Sequence, residues 1–389
     1  MSVFGIISEF NPFHNGHKYL FDKAREAGAE AIVAIMSGNA VQRGEVALLE
    51  KHERAKMALM SGADLVLELP FPWSASSAEA FALAGVAVAS EFCDTLIFGS
   101  ECGDISLLER AADICADQAF IERYKSTLKG NAGSAKTYFD LLSTETKSSY
   151  SSNDILGIEY IKAAKVRKSQ LSFVTVKREG GAYASEEIED GALQSASAIR
   201  ALVAKGETEK LSDYMPSGAV SVLDDALLRG EITAGNRLDL AYKLFFRMKR
   251  AEELSGVAEL DEGLLHRLLN AASECGEEEL LAAMRTKRYT DARLRRAMLF
   301  SVTGVSVQDV KACPAYTELL GANERGRAIL SAKRKTANIP VIAKPSDIPS
   351  TDEARRQREL SLALDSVFSL ALERPQGLAT VAARSPIII

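Results

Sequence analysis

The chain has 389 residues, 47% hydrophobic and 26% charged, which suits two or three packed domains and excludes a disordered or fibrous protein. A net charge of −6 speaks against a general nucleic-acid coat but leaves room for a local basic face. No run approaches a membrane span, the apolar start is short without a basic n-region, and the five cysteines are scattered. A cytoplasmic chain with reduced thiols and no membrane partner is therefore expected.

Val3, Phe4, Ile6 and Ile7 read as a buried parallel strand, and an amphipathic helix is expected over about 16–28. Between them lies Asn11-Pro12-Phe13-His14-Asn15-Gly16-His17, which holds two of the chain's four histidines. At a strand-to-helix turn two imidazoles can face one anion, and Gly16 lets backbone come close to it. The plain alternative is a capped helix start with a partly buried histidine. Zinc is disfavoured, because no third histidine or cysteine lies nearby, and no metal site is read.

Apolar runs recur at 31–36, 64–69 and 94–98, alternating with helical patterns at about 51–61, 75–90 and 104–117. That alternation predicts a parallel sheet flanked by helices. Segment 37–44 follows the second strand beside His14; Asn39, Gln42 and Arg43 there offer donors to an acidic substrate or nucleotide, or form a plain connection. Glu68 ends the third strand and reads equally as structural. Gly99, after the fourth, would admit an adenine or ribose or make a tight turn, and Gly103 competes with it. Cys102, close by, reads as a small residue.

After a polar stretch at 143–152, a helix over about 154–167 opens beside Asn153, a candidate N-cap. A β-branched strand follows at 173–176, with Arg178 beyond it able to pair with phosphate. Ser195-Ala196-Ser197-Ala198-Ile199-Arg200 then opens a helix with Ser195 as the expected N-cap. Its terminal amides, two hydroxyls and Arg200 make an anion site.

Beyond about residue 205 the pattern turns helical, as at 223–229, 237–253, 263–274 and 277–284, with extended structure chiefly at 340–342. The chain is therefore divided into 1–205 and a mainly helical 206–389. Arg285, Lys287, Arg288, Arg293, Arg295 and Arg296 cluster around Tyr289; Arg325, Arg327, Lys333, Arg334 and Lys335 form a second basic stretch. Either alone reads as a solvated face. Two in an acidic chain suggest a phosphate-backbone track, with Tyr289 open to stacking on a base.

His14-Asn15-Gly16-His17 and Ser195-Ala196-Ser197-Ala198-Ile199-Arg200 resemble the two signatures of the HxGH-type nucleotidylyltransferase superfamily. With Glu9-Phe10-Asn11-Pro12-Phe13, segments 37–44, 98–101 and 153–160, and Thr286-Lys287-Arg288-Tyr289-Thr290, the chain resembles the bacterial tRNA(Met) cytidine acetate ligases over at least 1–345. It departs from them at Ala40, where an aromatic residue is expected, and at Ser152, often proline in that family.

The resemblance implies an α/β fold, with a Rossmann-like parallel sheet of nucleotidylyltransferase type followed by a mainly helical, tRNA-binding domain. It implies activation of acetate by ATP as acetyl-adenylate. Acetyl would then pass to N4 of the wobble cytidine in the anticodon loop of elongator tRNA(Met), giving N4-acetylcytidine, AMP and diphosphate. ATP, accompanied by Mg2+, maps onto Ile7-Ser8-Glu9-Phe10-Asn11-Pro12-Phe13-His14-Asn15-Gly16-His17-Lys18-Tyr19-Leu20, Gly99, Asn153 and Arg178. Catalysis falls to His14, His17, Ser195, Ser197 and Arg200. RNA contact falls to Lys287, Arg288, Tyr289, Arg293, Arg295 and Arg296, a set drawn from the basic cluster itself. Two other readings use the same residues: an adenylyltransferase acting on a small acidic or phosphorylated metabolite, and a non-catalytic tRNA-binding scaffold.

Overall fold

Five strands, β1 (Val3–Ser8), β2 (Ala31–Ser37), β3 (Leu65–Leu69), β4 (Thr95–Ser100) and β5 (Ser172–Lys177), pair in parallel in the order β5-β4-β1-β2-β3. The computed structural model describes residues 1–127, 134–178 and 194–389. Side chains alternate between two cores, as a period of two requires. Ile7, Val33, Ile35 and Leu67 face one core, and Phe4, Ile6, Ile32 and Ala34 the other. Burial on both faces is why these strands read as continuous apolar runs.

The helices of this half are α1 (Asn15–Glu26), α2 (Lys51–Met60), α3 (Ala78–Phe92), α4 (Ile105–Ala116), α5 (Gln118–Thr127), α6 (Ser134–Thr146), α7 (Ser152–Arg167) and α8 (Ala196–Lys205). Residues of α3, α4 and α7 complete the first core; α1, α2 and α8 complete the second. The predicted strands are found within two residues of their expected bounds. The polar stretch at 143–152 partly belongs to α6, whose inward Leu142 is fully buried.

The remaining chain forms α9 (Leu211–Tyr214), α10 (Ser217–Arg229), α11 (Asp239–Arg247), α12 (Glu262–Glu274), α13 (Leu280–Met284), α14 (Asp291–Thr303) and α15 (Val307–Lys311). Then come β6 (Thr317–Ala322), α16 (Glu324–Lys333), β7 (Val341–Ile342), α17 (Asp352–Ala371), α18 (Leu378–Ala382) and β8 (Ile387–Ile388). β6 lies antiparallel to β3, and β7 and β8 pair with β6, so a cut at 205/206 leaves one edge of the sheet in the second half. The sequence reading finds extended structure at 340–342 but not at Thr317–Ala322. Glu, Leu and Ala in that strand favour helix in isolation, and pairing with β3 overrides them.

α14 and α17 pack back onto the segments that follow β2 and β3 rather than standing apart. Leu299, Phe300, Leu360 and Leu364 share a buried cluster with Phe71, Ala75 and Ala40. Ala40, the departure from the family pattern, is fully buried in that cluster. Buried Lys51 joins the two halves again, bonding Glu68 at 2.9 Å and also Glu318 of β6. Glu68 is thus a structural residue.

Candidate active site

β1 has β2 on one side and β4 on the other, so the chain reverses its direction across the sheet there, and a crevice opens at the strands' carboxyl ends. A cavity of about 1040 Å³, counting its open mouth, lies in that crevice. Ile7, Ser8, Glu9, Phe10, Asn11, His14, His17, Leu20, Gly99, Asn153, Arg178, Ser195, Ser197 and Arg200 line it. Residues from five separate stretches of sequence thus meet around one cavity.

The histidine motif is a helix cap. His14 is the N-cap of α1 and His17 is its third residue; Gly16 N–H donates to His14 Nδ1 at 3.0 Å, and His14 N–H donates to His17 Nδ1 at 3.2 Å. The reciprocal arrangement is a capping box built from two imidazoles. With both Nδ1 atoms accepting, each neutral ring carries its proton on Nε2. The rings lie 3.8 Å apart, and Phe10 and Phe13 flank His17 at 4.9 and 5.4 Å. Burial first, then Arg178 and Arg200, pushes His14 down to about 3. Burial, then His14 and Arg178, holds His17 well below the ordinary imidazole range. Both are neutral hydrogen-bond donors at physiological pH. The capped-helix reading and the anion reading of this motif are therefore the same structure.

Pro12, Phe13, Asn15, Gly16, Lys18 and Tyr19 of the mapped ATP segment do not line the cavity. α1 turns His17 and Leu20 inward at a three-residue spacing, which sends Lys18 outward to Asp22 and Tyr19 outward beneath Lys23. Phe13 is fully buried, and Asn15 Nδ2 donates to the Asp213 carbonyl at 3.1 Å. Pro12 is likewise off the cavity wall. A Cβ on Gly16 would lie 2.8 Å from His14 Cε1, so glycine is needed there for the imidazole rather than for a ligand.

Ser195 caps α8 as expected, its hydroxyl accepting from Ala198 N at 3.1 Å. Arg200, one turn on, donates to the Asn11 carbonyl at 2.8 Å and to Ser197 Oγ at 3.2 Å. α8 therefore brings its N-terminus, two hydroxyls and a guanidinium against the histidine turn.

On the opposite wall, Asn153 Nδ2 donates to Glu101 Oε1 at 2.6 Å, and Arg178 Nε lies 3.8 Å from the same oxygen. The N-cap of α7 is Ser151, not Asn153; Asp154 accepts from Ser151 N at 2.9 Å and from Ser100 Oγ at 2.5 Å. Gly99 lines the cavity with the Arg178 side chain across it, 3.2 Å from where a Cβ would stand. Gly103 has a φ of 64° and packs on Lys177, which makes it the turn glycine.

Segment 37–44 divides. Gln42 and Arg43 line the cavity, whereas Asn39 is buried, donating to Asp365 Oδ1 at 2.9 Å and accepting from Lys51 N at 2.9 Å. Glu9 accepts from Gln42 N at 3.0 Å, and burial, opposed by Arg200, raises its carboxyl above the usual range. Sequence reasoning misses Arg54, fully buried beneath the site. It donates to the carbonyls of Leu49 at 2.9 Å, Glu9 at 2.7 Å, Ser37 at 3.0 Å, and to Gly38. An arginine inside a helical pattern looks like a surface residue; only the fold reveals that it ties the ends of β1 and β2 together.

The basic cluster also divides. Tyr289 is 7% exposed, its hydroxyl donates to Asp261 Oδ1 at 3.0 Å, and Arg288 and Arg293 cover its ring. No base can stack on it. Arg293 pairs with Asp261 at 2.8 Å, Arg296 with Glu259 at 2.9 Å and Arg295 with Glu45 at 3.1 Å. Lys287 and Arg288 stay exposed. Among the described residues, no group of three or more His, Cys, Asp or Glu could hold a metal ion, and no helix is long and apolar enough to cross a membrane.

A capping box of histidines at the switch point, opposed by a serine–arginine helix start, defines a nucleotidyl transferase site. A family model described as HIGH Nucleotidyl Transferase matches residues 1–379. The tRNA(Met) cytidine acetate ligase of Acetivibrio thermocellus is 35% identical, with 96% of each chain covered. That of Listeria monocytogenes is 34% identical, covering 90% of this chain and 91% of the relative. Crystal structures of Thermotoga maritima TmcAL superpose over the full length of both chains, the apo form with a TM-score of 0.92 and 31% identity. The form bound with alpha-thio ATP gives 0.89 and 30%. This chain belongs to the HIGH nucleotidyl transferase family and, within it, to the tRNA(Met) cytidine acetate ligases.

Proposed function

We propose that this chain uses ATP to activate acetate as acetyl-adenylate and passes the acetyl group to N4 of the wobble cytidine of elongator tRNA(Met). The observation that carries the reading is the pair of neutral imidazoles facing the Ser195–Arg200 helix start across one cavity. Acetate, already ionised, attacks the α-phosphorus in line, so no general base is required. His14 and His17 donate from Nε2 to the departing diphosphate, while Ser195, Ser197 and Arg200 hold it at the N-terminus of α8. Gly99, Asn153 and Arg178 take the adenosine side. Mg2+ would be an ion carried in on the nucleotide rather than held by a protein cage, with Glu9 and Glu45 the carboxylates on the wall, and it would shield triphosphate charge.

In the second step the cytidine amine attacks the acetyl carbon, the bond to AMP breaks, and the amine gives up a proton. An anticodon loop supplies an unstacked base that can enter the cavity without melting a duplex. Catalysis is assigned to 1–205 and RNA contact to the helical part of 206–389, chiefly Lys287 and Arg288. A cytoplasmic location accords with five free cysteines.

The test is isotope exchange between diphosphate and ATP, with and without acetate, in the absence of RNA and then with bulk tRNA. Acetate-dependent exchange supports the reading. Exchange driven by a different small acid and indifferent to acetate would favour the metabolite adenylyltransferase, and no exchange under any condition would favour the scaffold.

A further inference from the structure

Arg295, one of the residues assigned to RNA by its place in a basic cluster, faces the back of the ATP cavity instead. Its guanidinium lies 3.1 Å from Glu45 Oε1, on the hairpin that follows β2. Glu45 itself lines the cavity, and its other oxygen lies 3.9 Å from Arg200. The hairpin is fixed against α14: Gly44 has a φ of 76°, and a Cβ there would stand 2.5 Å from the backbone nitrogen of Arg296. Arg296 also reaches the Gln42 carbonyl at 3.4 Å. Within the hairpin, Gly44 N–H donates to the Val41 carbonyl at 2.8 Å, and Val41 N–H to the Glu45 carbonyl at 2.9 Å. Glu45 therefore has little freedom of backbone, and its carboxylate is shared between two arginines.

A carboxylate on the wall of a cavity built for polyphosphate works against the ligand unless something occupies it. The distances show which arginine does so. Glu45 sits closer to Arg295, which leaves Arg200 on Asn11 and Ser197 with its charge available to the cavity. We infer that Arg295 is a positioning residue for adenylate formation: it holds Glu45 off Arg200 and so keeps the anion-binding guanidinium open to the diphosphate of ATP. Without Arg295, the carboxylate turns to Arg200 and competes with the nucleotide for it. The inference rests on the reading of Arg200 as an anion ligand.

The test is acetate-dependent exchange in the full chain with no RNA present, so an RNA-binding role for Arg295 cannot move the result. Arg295→Ala raises the KM for ATP and for diphosphate by on the order of tenfold, the scale of one charge-assisted hydrogen bond at a partly exposed site, with a smaller change in kcat. Arg295→Gln, which keeps most of the packing, does the same if the alanine variant fails to fold. Adding Glu45→Gln to either variant brings both KM values back toward those of the unsubstituted chain, because a neutral side chain no longer captures Arg200. Unchanged KM values overturn the inference, and so does a rise that Glu45→Gln fails to reverse. Arg200→Ala serves as the control: if exchange survives it undiminished, the anion-site reading has failed rather than the role of Arg295.

Discussion

Replacing Arg54 by methionine tests whether the buried guanidinium organises the floor of the site. Arg54 is fully buried and spends its donors on four carbonyls, those of Leu49, Glu9, Ser37 and Gly38. Burial, partly offset by Glu50 and Glu9, lowers it only to about 10, so it is charged at physiological pH. Methionine fills similar space but leaves the carbonyls without their donor. Each charged hydrogen bond removed costs roughly 1.5–3 kcal/mol, and relief from desolvating the guanidinium returns several kcal/mol. The net loss expected is about 3–5 kcal/mol, the usual result of removing one side of a buried polar arrangement. In a chain of this length that lowers the melting temperature by roughly 4–6 °C, followed by circular dichroism or calorimetry. Arg54→Lys, able to reach only some of the carbonyls, should fall between. A methionine variant whose melting temperature matches that of the parent would refute the argument, since it would mean the β1 and β2 ends are held by packing alone.

His17→Ala should abolish measurable acetate-dependent exchange, a loss on the order of 100-fold or more, while circular dichroism shows the fold retained; normal exchange would remove His17 from the mechanism. Charge reversal at Lys287 and Arg288 together should weaken tRNA binding and flatten its salt dependence by about 1.5 units of log–log slope, with exchange in the absence of RNA proceeding. Equal affinity at moderate salt would discard that surface. The pH dependence follows from His14, lowered to about 3 in the folded chain against about 6.5 unfolded. The unfolded chain takes up a proton that the folded one refuses, so stability is complete above about pH 6.5 and declines as pH falls toward about 3. The drop in melting temperature on going from neutral to mildly acidic buffer should shrink in His14→Gln; an equal drop would contradict a neutral, buried His14.

What the sequence revealed and what it hid divide along a physical line. β1 to β4 were legible because burial writes itself as apolar runs, and the half-buried β5 because of its β-branched residues. Ser195 was legible because an N-cap is a local interaction. β6 was not, because Thr317–Ala322 becomes a strand only when β3 is there to pair with it. The same rule governs the site. The histidine turn and the serine–arginine helix could be found by pattern, whereas Glu45, Arg54 and Glu101 act through partners distant in sequence and carry no local mark. Composition misleads in the basic cluster: Arg293, Arg295 and Arg296 read as a charged track, yet each has a carboxylate partner within the fold.

The spacing of the histidine motif follows from the same local physics. An N-cap and the third residue of a helix are the two positions of a capping box, and His14 and His17 occupy them. A cap made of serine and glutamate would satisfy the same backbone groups, but its carboxylate could only accept and its one donor would be a freely rotating hydroxyl. Imidazole does both: Nδ1 accepts from the backbone and Nε2 is left to donate, with the tautomer set by the cap rather than by the ligand. Neutrality matters as well. Arg43, Arg178 and Arg200 already line the cavity, and further full charges would bind ATP and diphosphate alike, which lowers KM without speeding the step. Uncharged donors held rigidly where charge develops favour the transition state with less affinity for the product. On the proposed mechanism, burial that keeps His14 and His17 unprotonated is part of the chemistry, and its cost in stability at acid pH is the measurable trace of it.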